Sequence, residues 1–352
     1  MSWEKNVRTV DPYVAGEQPK QAGVIKLNTN ECPYPPSPKV RKVAEDFDCE
    51  KLRLYPDMNA EKLVDALSGY YHVKPEQIFV GVGSDDVLAM AFMTFFNGDK
   101  PILFPDITYS FYDVWADVFR IPFRTCPLDE NFCIRKEDYL VPNGGIVIPN
   151  PNAPTGVLED TAMFEEILQA NPDSVVIVDE AYIDFGGISM LPLIEKYDNL
   201  MVVQTFSKSR AMAGIRIGYA IANEKLIRYL KDVKFSFNSY TMNMPSIEMG
   251  TAAVLDDAYF KEIVGKIVAT REWTKEQLKE LGFTFADSKS NFIFATHKSV
   301  PARDIFLALK ENNIYVRYWN KPRIDNYLRI TIGTKEQMQK LITFLKTYLK
   351  EH

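Results

Sequence analysis

The chain has 352 residues, enough for two lobes with separate cores, and its apolar fraction of 46% and charged fraction of 25% are those of an ordinary globular protein. The formal net charge of −6 argues against a nucleic-acid partner and against binding to an anionic membrane surface. Because the first residues lack the apolar core of a signal peptide and no apolar run is long enough to span a bilayer, the sequence predicts a cytoplasmic protein.

The N-terminal residues 1–30 predict an arm. Prolines and glycines recur there without periodicity. The proline-dense segment 27–36 at its end must be extended or turning. This segment is either a linker into the first helix or part of a substrate lid, in which case Asn28, Asn30 and Tyr34 face the substrate.

A second aromatic-proline turn spans residues 54–57 and precedes a helix. Leu63, Leu67 and Tyr70 share one face of that helix, and core packing explains them. Packing does not explain an exposed Tyr55 in the turn, which makes this tyrosine a candidate for a functional contact.

Residues 78–86 predict a strand, a glycine turn and the start of a helix. Backbone amides at such a helix start, left open by Gly81 and Gly83, form an anion site suited to phosphate. The short Gly-x-Gly pattern is weak by itself, since Ser84 or Asp85 serves equally well as a helix N-cap. It gains weight from the acid and the lysine that follow it in the chain.

Two further buried strands lead into candidate binding loops. The strand at 102–104 leads to Tyr109, which either stacks on the ring of a ligand or packs with neighbouring aromatic residues in a core. The strand at 146–148 ends in the polar loop 150–156, which contains Asn152 and is suited to presenting an amide to a ligand.

The stretch 175–218 carries the most specific signal. Residues 175–178 form an apolar run without alternation, as in a strand buried on both faces of a parallel sheet. Asp179 follows at the carboxyl end of the strand, where ligands bind in open α/β sheets. A carboxylate there suits a pyridine cofactor, whose ring nitrogen needs an acid beside it, and Tyr182 is placed to donate to the ring hydroxyl.

A lysine completes this pattern. The apolar run 201–203 leads into Ser207 and Lys208, which lies 29 residues after Asp179, enough for a crossover between parallel strands. Lysine forms Schiff bases when its amine is desolvated or lies beside another cation, and Arg216 is the candidate neighbour. Taken alone, Asp179 could be a residue that caps a turn, and Lys208 could be a solvated loop lysine. Taken together, the two residues indicate a pyridoxal phosphate site.

The rest of the chain predicts a large domain over residues 31–250 and a small domain over residues 251–352. A strand at 217–221 completes the large α/β sheet, and a long helix through residues 260–267 joins the two domains. Strands and helices alternate after it, as in a small α+β domain.

Two arginines stand out in the small domain. Arg317 follows one strand and Arg329 lies inside another, apolar strand. Since arginine forks bind carboxylate or phosphate, both are candidates for anionic substrate groups, and Arg317 is equally explained as a surface residue. No metal site is predicted, because the four cysteines include no C-x-x-C pair and there are only three histidines.

These residues together resemble the fold-type-I pyridoxal phosphate aminotransferases and, within them, the histidinol-phosphate branch. The matching positions are 27–31, 55–56, 83–85, 154–156, 179–182, 207–208, Arg216, 291–292, 328–331 and Gly333. The resemblance implies a three-layer α/β large domain with a mostly parallel seven-stranded sheet and a small α+β C-terminal domain. It also implies that the arm packs on the small domain or on the partner subunit of a homodimer.

The resemblance implies a role for each matched residue. Lys208 is the Schiff-base lysine that shuttles a proton, Asp179 pairs with the ring nitrogen and Tyr182 with the ring hydroxyl. The other cofactor-binding residues are Gly83, Ser84, Asp85, Ser207 and Arg216 around the phosphate, Tyr109 on the ring face, and Tyr55, which reaches the neighbouring subunit's phosphate. The substrate-binding residues are Asn30, Tyr34, Arg317 and Arg329.

The chain departs from the family pattern at two positions. The family usually has Asn immediately before Pro-Thr-Gly, where it bonds the ring hydroxyl, and this chain has Ala153 there. Either Asn152 reaches in its place or that hydrogen bond is absent. The family often shows Asn or Tyr where this chain has Cys32, a position that lies near the substrate phosphate.

The implied activity is ping-pong transamination of L-histidinol phosphate with 2-oxoglutarate, which gives imidazole acetol phosphate and L-glutamate in histidine biosynthesis. An aromatic amino acid aminotransferase or a threonine-phosphate decarboxylase would use the same cofactor residues. The alternative from another class is a non-catalytic ligand-binding module, against which the complete lysine, aspartate and arginine set argues.

Overall fold

The computed structural model describes residues 3–14 and 16–352, so residues 1, 2 and 15 of the expected arm lie outside the described residues. The strands are β1 (Ile25–Leu27), β2 (Ile78–Gly81), β3 (Ile102–Pro105), β4 (Phe123–Cys126), β5 (Gly145–Pro149), β6 (Val176–Asp179), β7 (Leu200–Thr205), β8 (Gly218–Ala222), β9 (Phe283–Phe285), β10 (Phe292–His297), β11 (Ile314–Tyr318) and β12 (Leu328–Thr331). The helices are α1 (Pro38–Glu45), α2 (Glu61–Tyr71), α3 (Ser84–Phe95), α4 (Tyr112–Phe119), α5 (Thr161–Ala170), α6 (Glu224–Phe237), α7 (Met244–Val254), α8 (Asp257–Glu280), α9 (Ala302–Glu311) and α10 (Lys335–Glu351).

The larger sheet has seven strands in the order β2-β8-β7-β6-β5-β3-β4. The pairs from β4 to β7 are parallel, and β8 runs antiparallel to both β7 and β2. The mostly parallel seven-stranded sheet expected from the sequence is confirmed. Because the parallel strands end at one edge, the residues after β5, β6 and β7 lie close together.

Both faces of the larger sheet are covered by helices. Val176 and Val178 of β6 belong to one apolar core, which also contains Phe164 of α5. Ile177 points to the opposite core, which contains Leu88 of α3 and Trp115 of α4. A strand buried on both sides needs apolar residues at successive positions, which explains the uninterrupted apolar run before Asp179.

The smaller sheet has five strands in the order β1-β11-β12-β10-β9. Strand β1, from the end of the expected arm, pairs in parallel with β11. Helices α8, α9 and α10 cover one core with Ile267, Ile305 and Leu341. The predicted small α+β lobe is therefore present, and the domain boundaries at residues 30 and 250 stay a prediction.

Helix α8 connects the two parts of the molecule. Its residues Ile263 and Ile267 are buried, as the helical spacing of apolar residues predicts. Arg271 Nη1 donates to the carbonyl of Phe185, which follows β6, at 2.7 Å and to that of Ser290, which precedes β10, at 2.8 Å. One buried guanidinium thus ties the edge of the larger sheet to the smaller one.

Candidate active site

A cavity of about 550 Å³ lies at the carboxyl edge of the larger sheet. Residues from both sheets line it, among them Lys208 and Tyr182 from the large sheet's edge and Arg317 and Arg329 from the smaller sheet. Such a concave space between domains, with few converging polar groups, is where ligands bind in many proteins. Four of the residues singled out from the sequence therefore meet in one place.

Asp179 ends β6 and is 5% exposed. The Tyr112 hydroxyl donates to its Oδ2 at 2.8 Å, and the Ala181 amide donates to its Oδ1 at 3.2 Å. Burial raises the pKa of the Asp179 carboxyl to about 6, and these two hydrogen bonds oppose the rise. Tyr112 is one of the aromatic neighbours expected to pack with Tyr109 in a core, and the sequence did not indicate its contact with the acid.

Lys208 lies beside Tyr182, with its Nζ 5.7 Å from the centroid of the tyrosine ring. The Tyr182 hydroxyl accepts a hydrogen bond from Asn30 Nδ2 at 2.9 Å. Asn30 is itself fixed, because its Oδ1 accepts from the Thr331 hydroxyl at 3.0 Å and its carbonyl accepts from Asn291 Nδ2 at 3.0 Å. Asn30 is thus part of the site through its contact with Tyr182.

The glycine turn before α3 forms a cradle with Arg216. Gly83 has a φ of +86°, and a Cβ there would collide with the Arg216 guanidinium. Arg216 Nη2 lies 3.1 Å from Asp85 Oδ2, and Nη1 lies 3.5 Å from the Ser207 hydroxyl oxygen. A helix N-terminus, beginning at Ser84, with a guanidinium and a hydroxyl beside it provides the donors that a phosphate group requires.

Tyr109 packs with neighbouring aromatic residues, as one of the two sequence expectations has it, and its stacking on a ligand ring stays a prediction. It lines the cavity, and its ring centroid also lies 5.7 Å from that of Tyr112 and 5.6 Å from that of Phe111. Its hydroxyl donates to Asp85 Oδ1 at 2.7 Å, and burial raises its pKa. Asp85 therefore links the aromatic wall of the cavity to Arg216.

Asn152 is placed outside the cavity. Its Nδ2 donates to the Ile107 carbonyl at 3.0 Å and to the Thr155 hydroxyl at 3.0 Å, while its Oδ1 accepts from the Thr108 hydroxyl at 3.1 Å. Ala153, the next residue, lines the cavity instead. The Asn152 amide holds the loop in place with all of its polar atoms, which speaks against its replacing the family's asparagine.

Arg329 has the environment expected of an anion-binding residue. Its Nη2 donates to the Asn28 carbonyl at 3.0 Å, and its buried Nε has no hydrogen-bond partner within residues 3–14 and 16–352. Burial, together with the charge of Arg317, lowers the pKa of the Arg329 guanidinium. A desolvated cation with an unused donor is stabilised by a bound anion.

Two other candidate residues lie away from the cavity. The Tyr34 ring is contacted by Lys266 of α8, whose Nζ is 5.7 Å from its centroid. Tyr55 is 80% exposed and packs against Tyr240, with ring centroids 4.8 Å apart. Within one chain, the structure does not bring either tyrosine to the Lys208 cavity.

Another arginine that lines the cavity, Arg323, was not predicted from the sequence. Arg323 Nη1 lies 3.0 Å from Asp106 Oδ2, and its Nη2 donates to the carbonyls of Leu128 and Asp129 at 2.8 Å each. Arg323 follows β11, whereas its partners follow β3 and β4. No sequence pattern predicts the contact between Arg323 and Asp106, because it depends on how the two sheets face each other.

The described part of the chain contains neither a membrane-spanning helix nor a cluster of side chains that could hold a metal ion. No helix found there is long and apolar enough to cross a membrane. No group of three or more metal-ligating side chains occurs among residues 3–14 and 16–352.

Residues 22–345 match the model of the family described as aminotransferase class I and II, and the chain belongs to that family. It is similar to the histidinol-phosphate aminotransferase of Lactococcus lactis subsp. cremoris (strain SK11), with 53% identity over 350 residues, which are 99% of this chain and 98% of the relative. The family resemblance inferred from the sequence is thereby confirmed.

Solved structures show the same fold. The histidinol-phosphate aminotransferase from Clostridium acetobutylicum gives a TM-score of 0.86 at 24% identity, over 94% of this chain and 100% of that chain. The histidinol-phosphate aminotransferase from Sinorhizobium meliloti, solved in complex with pyridoxal-5'-phosphate, gives a TM-score of 0.83 at 21% identity, over 93% of this chain and 91% of that chain.

Proposed function

We propose that the protein is a pyridoxal phosphate-dependent histidinol-phosphate aminotransferase that transfers an amino group from L-histidinol phosphate to 2-oxoglutarate. The identity of 53% with the L. lactis relative supports the substrate, and the pyridoxal phosphate complex of the S. meliloti protein supports the cofactor. The observation that carries the proposal is one cavity lined by Lys208, Arg317 and Arg329, with Lys208 near enough to Asp179 for its charge to act on that carboxyl.

The residues present fit each part of this cofactor. Asp179 is a buried carboxylate whose direct partners in the described chain are two neutral donors, so a protonated ring nitrogen would supply the missing cation. The cradle of Gly83, Ser207 and Arg216 suits the phosphate. Lys208 is half-buried and lines the same cavity, so its amine would be available to the cofactor's carbonyl carbon.

When bound, pyridoxal phosphate supplies an electron sink for the charge left on the substrate α-carbon after its proton departs. Asp179 would hold the ring-nitrogen proton, and the Asn30 contact would orient the Tyr182 hydroxyl toward the ring hydroxyl. Lys208 Nζ would take the proton from the substrate α-carbon and deliver it to the former carbonyl carbon of the cofactor, two atoms further along. A positioned proton-transfer group of this kind typically contributes about 10²–10⁴-fold to the rate.

The substrate assignment rests on the anion-binding wall. Arg329, with its unused Nε donor, and Arg317 line the side of the cavity formed by the smaller sheet. A substrate phosphate, or a carboxylate of glutamate in the second half-reaction, would neutralise these guanidiniums. A phenyl side chain would offer no negative charge to the buried Arg329 guanidinium, whose Nη2 donates to the neutral Asn28 carbonyl.

The direct test is the absorption spectrum of the protein loaded with pyridoxal phosphate, recorded with histidinol phosphate, phenylalanine or threonine phosphate added separately. Loss of the bound cofactor's visible band at a far lower concentration of histidinol phosphate than of the other two supports the assignment. Preferential reaction with phenylalanine would make it an aromatic aminotransferase. Release of carbon dioxide from threonine phosphate would make it a decarboxylase, and no visible band would refute the cofactor.

We also propose that the active enzyme is a homodimer in which Tyr55 completes the neighbouring subunit's phosphate site. Tyr55 contacts Tyr240, and these two residues and their chain neighbours Leu52, Leu54 and Phe237 are exposed apolar side chains, with exposed fractions between 47% and 80%. Apolar patches of this kind on a folded protein mark interaction surfaces.

Subunit mixing tests this arrangement. Tyr55→Ala and Lys208→Ala chains, each inactive or nearly so, should regain activity when dissociated and reassembled together, because one site per mixed dimer then has both native residues. A monomer in light-scattering measurements, or no gain on mixing despite exchange of subunits, would refute the shared site.

A further inference from the structure

Two arginines face each other directly in the smaller sheet. Arg317 of β11 and Arg329 of β12 are register partners in an antiparallel pair. Like charges at directly opposed positions destabilise a sheet, because their side chains emerge side by side from the same face. Holding two guanidiniums side by side therefore has an electrostatic cost, and a neighbouring group that attracts cations lowers that cost.

Trp319 lies against both of them. The centroid of its ring is 5.2 Å from Arg317 Cζ and 5.2 Å from Arg329 Cζ. The sequence accounts for one contact, since Trp319 comes directly after β11, two residues beyond Arg317, and residues two apart in an extended chain lie on the same side. The register of β11 with β12 then brings Arg329 to the same indole.

A contact with a second aromatic ring holds the Trp319 indole in this position. Its ring packs edge to face on Phe294 of β10, with centroids 6.4 Å apart at 68°. Trp319 also lines the Lys208 cavity with both arginines. Tryptophan offers the strongest aromatic face for cations, and a guanidinium within about 6 Å of the ring is attracted by it.

We propose that Trp319 is a positioning residue that holds the guanidiniums of Arg317 and Arg329 side by side, so that both bind one dianionic phosphate group of the substrate. The inference deepens the proposed function and rests on it. The indole offsets the repulsion between the arginines in the free enzyme, and it limits how far they reorganise when the anion arrives. A dianion is bound more tightly than a monoanion by this arrangement, because it can accept hydrogen bonds from both guanidiniums.

The test is a graded series at this position in the enzyme loaded with pyridoxal phosphate, whose own phosphate fills the Gly83 cradle. Trp319→Leu removes the aromatic face and keeps apolar bulk, whereas Trp319→Phe keeps a weaker face. The matched control is Tyr318→Leu, because Tyr318 projects from the opposite face of the strand and stacks on Phe306 at 5.5 Å.

Inorganic phosphate, titrated calorimetrically, is the probe. We expect Trp319→Leu to weaken its binding about tenfold, equivalent to roughly 1.4 kcal/mol, and Trp319→Phe to weaken it about threefold. The KM for histidinol phosphate should rise in parallel while kcat stays within about twofold, since the indole does not touch the reacting atoms. Tyr318→Leu should leave phosphate affinity and KM unchanged, even if it lowers the unfolding temperature.

The outcomes separate this inference from the proposed function. Wild-type enzyme that binds phosphate and reacts with histidinol phosphate, together with unchanged or tighter binding in Trp319→Leu, overturns the role of Trp319 alone. Equal losses in Trp319→Leu and Tyr318→Leu also overturn it, because they indicate general loosening of the strand. Wild-type enzyme that neither binds phosphate nor reacts with histidinol phosphate overturns the proposed function itself. If leucine prevents folding, Trp319→Phe against Tyr318→Phe makes the same comparison.

Discussion

Replacing Asp179 with asparagine is expected to stabilise the cofactor-free protein while weakening cofactor binding. The carboxyl is 5% exposed, and burial raises its pKa from 3.8 to about 6, which corresponds to roughly 3 kcal/mol. The folded state binds this proton more tightly than the unfolded state does. Stability is therefore lost as pH rises from the unfolded to the folded pKa, and the whole loss is present at neutral pH.

Asparagine carries no charge and avoids this loss. Its single carbonyl oxygen cannot accept from both the Tyr112 hydroxyl and the Ala181 amide, which takes back about 1 kcal/mol. The expected net gain in the free energy of unfolding is thus about 2 kcal/mol near neutral pH. Cofactor affinity should fall about ten- to hundredfold, because a hydrogen bond to a charged group contributes roughly 1.5–3 kcal/mol.

Urea unfolding of the cofactor-free wild type and Asp179→Asn, at about pH 7.5 and about pH 5, measures the stability change. The gain should shrink at the lower pH, where the wild-type carboxyl is mostly protonated. Absorbance titration with pyridoxal phosphate gives the affinities. A variant no more stable than the wild type near pH 7.5, or a gain that is the same at both pH values, would refute the reasoning from burial.

Three further predictions concern single positions. Lys208→Ala should lower steady-state turnover at least about 10²-fold, because the proton-transfer group is lost, while the unfolding temperature stays near that of the wild type; near-normal turnover would contradict the mechanism. Gly83→Ala should weaken pyridoxal phosphate binding at least about tenfold in an absorbance titration, since its Cβ meets the Arg216 guanidinium at a φ of +86°, and unchanged affinity would show that the cradle does not bind phosphate. Burial lowers the pKa of the Lys234 amine from 10.5 to about 8, although its Nζ donates to the Val80 carbonyl. Between about pH 8 and pH 10.5 the unfolded state therefore binds more protons at this lysine than the folded state does. Wild-type stability should therefore rise relative to Lys234→Met over this window by up to about 3 kcal/mol, and a difference in unfolding free energy that stays constant between about pH 7.5 and 9.5 would be inconsistent with the buried charge.

The positions of the candidate catalytic residues at the ends of strands could be predicted from the sequence. An apolar run of four residues followed by Asp179 is what a strand covered on both faces requires, and the structure places that strand at the centre of the parallel sheet. The 29-residue interval to Lys208 fits the crossover to the next strand, β7. The α/β fold was predictable for the same reason, since local periodicity and chain order indicate it, whereas the family followed from the resemblance of short motifs to known ones.

The partners of these residues were not predictable, because they come from strand register and from the way the two sheets face each other. The Tyr112 hydroxyl meets Asp179 across 67 residues, and Arg323 meets Asp106 across 217 residues. Asn152 looked available for a ligand, yet the fold uses all its polar atoms to hold a loop. Contacts of this kind produce no periodic pattern in the sequence from which they could be predicted.

The sequence by itself determined which groups are available for the chemistry: an acid, a lysine, a glycine turn and two arginines. Each of them lies within an apolar strand or close after the end of one. Only the tertiary structure decided that Arg317 and Arg329 stand opposite each other with Trp319 across both. The physical reason is that strand composition is encoded locally, whereas the register between β11 and β12 results from packing of the whole small sheet.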